Sequence, residues 1–160
     1  METIEHKINI VKLNEDELSD VERKVMEEAK KATERSYSPY SHFSVGAAVL
    51  LSSGQIVSGS NQENCAFPSG LCAERTTIFY ANANYPDQAV TMLCIAARGT
   101  NGEFTEMPVS PCGACRQVLV ETEQRFSTPM RVLLYGTEGI YAVSSARDLL
   151  PVCFDSDSLI

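Results

Sequence analysis

Apolar and polar residues alternate along the chain with two different periods. Leu18, Val21, Val25, Ala29 and Ala32 recur at intervals of three and four, the spacing that gathers side chains on one face of a helix. Asn14 and Glu17 supply a capping-box pattern at its start, and Glu22, Lys24, Glu28 and Lys31 fall on the opposite, solvated face. Ser36-Tyr37-Ser38-Pro39-Tyr40-Ser41 ends this helix, because proline disfavours helical geometry in the residue before it and small polar residues compete for backbone hydrogen bonds. Residues 45–51 and 55–59, joined at Ser52-Ser53-Gly54, read as a β-hairpin. Asn61-Gln62-Glu63-Asn64 leaves the second strand as a polar loop, Pro68-Ser69-Gly70 turns the chain, and residues 71–80 have the composition of a mostly buried helix. Residues 91–98 form an apolar run without polar alternation, the pattern of a central strand covered on both faces. A helix over 113–123 follows Pro111, strands are expected over 130–135 and 141–143, and Ser145-Ala146-Arg147-Asp148 reads as a capping box opening a short helix that Pro151 ends. This order of elements predicts a mixed five-stranded sheet with helices packed on it.

Length and composition narrow the reading. With 160 residues, 44 % of them hydrophobic, the chain can bury one substantial core, and no repeat or linker divides it, so a single domain over residues 1–160 is expected. A net charge of −8 without a Lys/Arg cluster argues against a nucleic-acid partner or an anionic membrane surface. The N-terminal residues lack the pattern of a secretory signal, and no window approaches the roughly 20 apolar residues of a membrane span. A cytoplasmic protein with no membrane partner is expected. In a reducing compartment the six cysteines point to metal or redox chemistry before disulfides.

Three of them carry a specific pattern. Cys72-Ala73-Glu74-Arg75 and Pro111-Cys112-Gly113-Ala114-Cys115 both stand where a helix is predicted to begin. There the unpaired N–H groups and the positive end of the helix dipole favour thiolate, the form that binds zinc. Cys112 and Cys115 share one face of a first turn, so a single Zn2+ can take both together with Cys72 from the other helix and keep its fourth position open. Glu74 is placed to move protons between water and a leaving group. Arg75 can donate to a ligand sulfur and offset the excess negative charge of three thiolates. Cysteine at the first position, glutamate two residues later and a Pro-Cys-x-x-Cys run match the signature of zinc-dependent nucleobase deaminases. The alternative is a non-catalytic zinc scaffold in which a fourth thiol such as Cys65 closes the coordination sphere. Cys65, Cys94 and Cys153 otherwise read as small buried hydrophobes, and His6 and His42 as structural residues.

The sequence resembles the small, homotetrameric cytidine deaminases at Tyr37-Ser38-Pro39-Tyr40-Ser41-His42-Phe43, Val45-Gly46-Ala47-Ala48, Asn61-Gln62-Glu63-Asn64, the two cysteine runs with Thr76, Arg116 and Gln117, and Leu149-Leu150-Pro151 with Phe154. The resemblance implies a three-layer α/β/α fold. It also implies hydrolytic deamination of free cytidine and 2′-deoxycytidine, in salvage of pyrimidine nucleosides, with one zinc per chain. By the same resemblance Asn61 and Glu63 would hold sugar hydroxyls, Phe43 would pack on the pyrimidine and the N–H of Ala73 would contact the base carbonyl. Phe154 would close over the base of a neighbouring subunit, so that active sites are shared within a homotetramer. Phe67 stands where the family commonly has tyrosine, and Cys65-Ala66 where small residues in another order are usual. Enzymes acting on cytosine-containing antibiotics such as blasticidin S have similar metal motifs but do not resemble this chain at Asn61 to Asn64.

Overall fold

Two capping boxes stand in tandem ahead of the first helix. Asn14 and Glu17 cap only a short 3-10 turn, Glu15–Glu17. Ser19 and Glu22 repeat the arrangement and open helix α1, Asp20–Ala32. The helix therefore begins one box later than the pattern predicts, because Leu18 is extended and buried between the two. The computed structural model describes residues 1–159.

The remaining elements are β1 (Val11–Leu13), β2 (Ser44–Leu51), β3 (Ile56–Ser60), α2 (Ala73–Asn84), β4 (Val90–Arg98), α3 (Gly113–Phe126), β5 (Arg131–Leu134) and β6 (Ile140–Val143). They form one mixed sheet in the order β1-β6-β5-β4-β2-β3, parallel between β4 and β5 and antiparallel elsewhere. The sheet has six strands where five were expected. The extra one, β1, is an edge strand of three residues paired to β6, with too little burial to leave a hydrophobic pattern. The helix expected after Ser145 is a 3-10 turn, Ala146–Leu149.

The period of two along β4 divides the core. Leu93 and Ile95 face α2 and α3 with Ala47, Val49, Ile78, Ala81 and Leu119. Met92, Cys94 and Ala96 face α1 with Ala48, Val25, Met26 and Ala29. One helix thus covers one face and two cover the other, and the apolar run of β4 is buried on both sides as its composition predicts. Gly46 lets α1 sit close on β2: a Cβ there would lie 2.1 Å from the Ala29 carbonyl oxygen and 2.6 Å from the Thr33 nitrogen. Glu22, expected on the solvated face of α1, is instead buried and ties the helix to β5 through a 2.7 Å ion pair with Arg131 Nε.

Candidate active site

Strand direction brings the two cysteine runs together. Both β3 and β4 are antiparallel to β2, so they point the same way, and β5 is parallel to β4. Helix α2 connects β3 to β4 and α3 connects β4 to β5. Each helix must therefore start beyond the carboxyl end of a strand, above the same edge of the sheet. The amino end of β2, with the segment Ser36 to Phe43 before it, reaches that edge from the other direction.

Cys72 is the N-cap of α2 and Cys112 the N-cap of α3, both in extended conformation and neither making a side-chain cap hydrogen bond. Both thiols thus sit at the positive ends of their helices. Cys72 Sγ lies 3.8 Å from Cys112 Sγ, Cys112 Sγ lies 3.5 Å from Cys115 Sγ, and all three sulfurs fall within 4.8 Å of one another. Tetrahedral zinc with Zn–S bonds of about 2.3 Å needs sulfurs about 3.8 Å apart. The three side chains fit that ion, and among the described residues no fourth His, Cys, Asp or Glu joins them. Cys65, the candidate for closing the sphere, is exposed and outside the group.

The protons on this cluster are unevenly held. A hydrogen bond from Cys115, with those of Arg75 and Cys112, holds the Cys72 thiol down at about 5 against the burial that opposes it. Cys115 is pushed up by the same bond to Cys72, by burial and by the charge of Glu74. One thiolate forms readily and the next is costly, so a divalent cation is the natural partner for the full set. Arg75 Nη2 donates to Cys72 Sγ at 3.9 Å, and the guanidinium partly balances the thiolates. Glu74 is 5 % exposed. Burial, with the charge on Cys72 adding to it, raises its carboxyl above the ordinary value, which makes it ready to carry a proton.

Beside the thiols opens a cavity of about 540 Å3 lined by Tyr40, Ser41, Asn61 to Asn64, Phe67, Gly70, Leu71, Cys72 and Arg75, a volume suited to a small organic molecule. Asn61 and Glu63 both line it. Glu63 Oε2 accepts from the N–H groups of Tyr40 (2.9 Å) and Ser41 (3.3 Å). A bond from the Ser41 side chain, then one from the Tyr40 backbone, holds the Glu63 carboxyl below its ordinary value. Ala73 is fully buried at the first position of α2. Phe43 is half-buried and not among the lining residues; its carbonyl accepts from Asn61 Nδ2 at 2.9 Å. Phe154 lies away from the cavity, 62 % exposed, with its carbonyl accepting from Gln117 Nε2 at 2.7 Å. Of the three remaining cysteines only Cys94 is buried; Cys65 is exposed and Cys153 half-buried, so the reading of all three as core residues is corrected for two.

Two further side chains brace the site through contacts that the sequence alone did not reveal. Arg116 donates to the carbonyls of Pro111 (2.8 Å) and Leu149 (2.9 Å), joining the Cys112 turn to the C-terminal segment. Buried Glu123 accepts from Ser145 Oγ and the N–H groups of Ala146 and Arg147, holding the 3-10 turn that precedes that segment. Leu149 and the Ser145 turn are remote in sequence from Arg116 and Glu123 and leave no local pattern.

An α/β sheet with three thiols gathered at two helix starts, a buried carboxyl beside them and a cavity in front defines a zinc-dependent hydrolytic centre. Residues 19–128 match the family model described as the cytidine and deoxycytidylate deaminase zinc-binding region, and the chain belongs to that family. It is 41 % identical over 140 residues to cytidine deaminase of Sporosarcina psychrophila, covering 88 % of this chain and 95 % of the relative. It is 33 % identical to cytidine deaminase of Mycobacterium tuberculosis, covering 82 % and 87 %. A crystal structure of cytidine deaminase from Burkholderia pseudomallei superposes with a TM-score of 0.71 at 37 % identity, covering 82 % of this chain and 97 % of that one.

Proposed function

We propose that this protein, as a single unit over residues 1–160, deaminates free cytidine and 2′-deoxycytidine by hydrolysis and releases ammonia. The observation that carries the reading is the meeting of Cys72, Cys112 and Cys115 within 4.8 Å, with Cys72 lining the cavity and buried Glu74 in the first turn of the same helix as Cys72. Zinc held by these thiols supplies a Lewis acid that makes water nucleophilic near neutral pH. Glu74 takes one proton from the attacking water and delivers it to ring N3, while the water oxygen bonds to C4. It then moves the second water proton to the amino nitrogen. The C4–N bond breaks with its electron pair on nitrogen, ammonia leaves and the C4 carbonyl forms. Asn61 and Glu63 hold the sugar and the N–H of Ala73 meets the base carbonyl. Arg75 offsets thiolate charge.

The subunit arrangement belongs to the same reading. Phe154 is exposed yet held at its backbone by Gln117, an arrangement suited to reaching the base in a neighbour's cavity, with Phe43 on the pyrimidine, inside a homotetramer. The absence, among the described residues, of a helix long and apolar enough to cross a membrane is compatible with a cytoplasmic enzyme.

Metal analysis of the purified protein together with the ultraviolet absorbance of added cytidine tests the activity. One zinc per chain and steady loss of absorbance are expected. Zinc without any absorbance change would overturn the proposal in favour of a scaffold or another substrate.

A further inference from the structure

Asn61 is wired so that only a donor is left for the cavity. Its Oδ1 accepts from Ser36 Oγ at 2.6 Å and from the Val45 N–H at 2.8 Å, which occupies both lone pairs of an amide oxygen. Its Nδ2 gives one proton to the Phe43 carbonyl at 2.9 Å and keeps one. The orientation of the amide follows from its partners, since a backbone N–H can only donate and a carbonyl can only accept.

Ser36 has a single proton, and Asn61 Oδ1 has none to offer, so the 2.6 Å contact takes it. At 3.1 Å the Ser38 hydroxyl is the longer alternative acceptor for the same Ser36 proton, and Ser38 in turn lies 3.3 Å from the Ser44 hydroxyl. Glu63 stands beside Asn61 as a carboxylate that accepts from two backbone N–H groups at Oε2 and from the Ser41 side chain, and a carboxylate's four acceptor sites leave room for one more donor.

We infer that Ser36 is a positioning residue for substrate selection: by taking the second lone pair of Asn61 Oδ1 it makes Asn61 a pure donor. Asn61 and Glu63 then select a sugar hydroxyl that accepts from the first and donates to the second. The inference rests on the proposed sugar contact of this loop. Removing the selected hydroxyl leaves the free Asn61 N–H and one Glu63 acceptor site unpaired, and replacing it by fluorine removes the hydroxyl donor to Glu63. A phosphate ester at the same position would bring negative charge against the Glu63 carboxylate.

The test uses the zinc-loaded enzyme with cytidine and analogues lacking the 3′- or 5′-hydroxyl in turn, measured for wild type, Ser36→Ala, Ser36→Thr and Asn61→Ala, with melting temperatures alongside. In wild type, loss of the selected hydroxyl is expected to lower kcat/KM by about 100-fold or more. Ser36→Ala should raise KM for cytidine about three- to tenfold at unchanged kcat, and leave kcat/KM for the deoxy analogue as it was, so that the penalty shrinks by the same factor. Ser36→Thr should restore it. Equal losses on both substrates, or an unchanged penalty, would overturn the role of Ser36. If Asn61→Ala keeps the full penalty at both hydroxyls, the sugar contact itself fails, and the inference with it.

Discussion

Replacing Glu74 by glutamine changes one proton and almost no volume at a position that is 5 % exposed. The amide can neither take a proton from water nor return one. A positioned general acid or base contributes about 100- to 10,000-fold, and here one carboxyl serves two successive transfers, to N3 and then to the departing nitrogen. Loss of both steps places the fall in kcat at about 1,000-fold at least, roughly 4 kcal/mol of barrier at 1.36 kcal/mol per decade. The zinc set is untouched, so metal content should stay at one per chain. Burial raises the Glu74 carboxyl, and a group whose folded value is raised weakens the fold once the pH exceeds its unfolded value. The metal-free glutamine variant should therefore melt no lower than metal-free wild type at neutral pH. Cytidine absorbance measured with metal analysis and a thermal melt gives all three quantities. A zinc-loaded variant whose kcat lies within tenfold of wild type would refute the assignment.

Three further outcomes are expected. Gly46→Ala forces a methyl group to within 2.1 Å of the Ala29 carbonyl oxygen; backbone must move, costing about 3 kcal/mol, or roughly 6–12 °C in a thermal melt. An unshifted melt would mean that α1 does not bear on β2 as described. Burial raises Glu22, but bonds from Ser19 and Arg131 outweigh it and hold the carboxyl below its ordinary 4.5. That stabilisation is complete above the ordinary value and is lost as pH falls through the lower folded one, so Glu22→Gln should lower the neutral melting temperature and flatten the acid limb of a stability–pH curve. Chelation of zinc should destabilise the protein by about 2.7 kcal/mol relative to zinc at a hundredfold excess over Kd, and Cys112→Ser should show no such zinc-dependent gain.

The sequence was most readable where a pattern is local and repeated. The stripe from Leu18 to Ala32 found α1, and the unbroken run after Thr91 found the strand buried on both faces. Cys72 and Cys112 were legible as helix starts because Pro68-Ser69-Gly70 and Pro111 punctuate the chain just before them. Local pattern also misled: Asn14 and Glu17 satisfy the capping rule as well as Ser19 and Glu22 do, and only the burial of Leu18 between them decides which box opens the helix. Val11 to Leu13 could not be read as a strand because its pairing with β6 comes from the far end of the chain. The carboxylate of Glu123, which caps a turn more than twenty residues further on, belongs to the same class. The Ser36 contact to Asn61 is likewise set by the fold, since it joins the end of the first helical region to the end of the hairpin.

Because β3 and β4 both run toward the thiols, every return of the chain at the opposite edge of the sheet is remote from the chemistry. The hairpin turn Ser52-Ser53-Gly54 lies there, with Gly54 at a φ of 87° and open space around its missing side chain. The bend at Tyr85-Pro86-Asp87 and the left-handed Ser127 that closes α3 share that edge. A label, an affinity tag or a surface tether belongs at Ser53, where it would project away from the pocket and leave its mouth open to solvent and substrate.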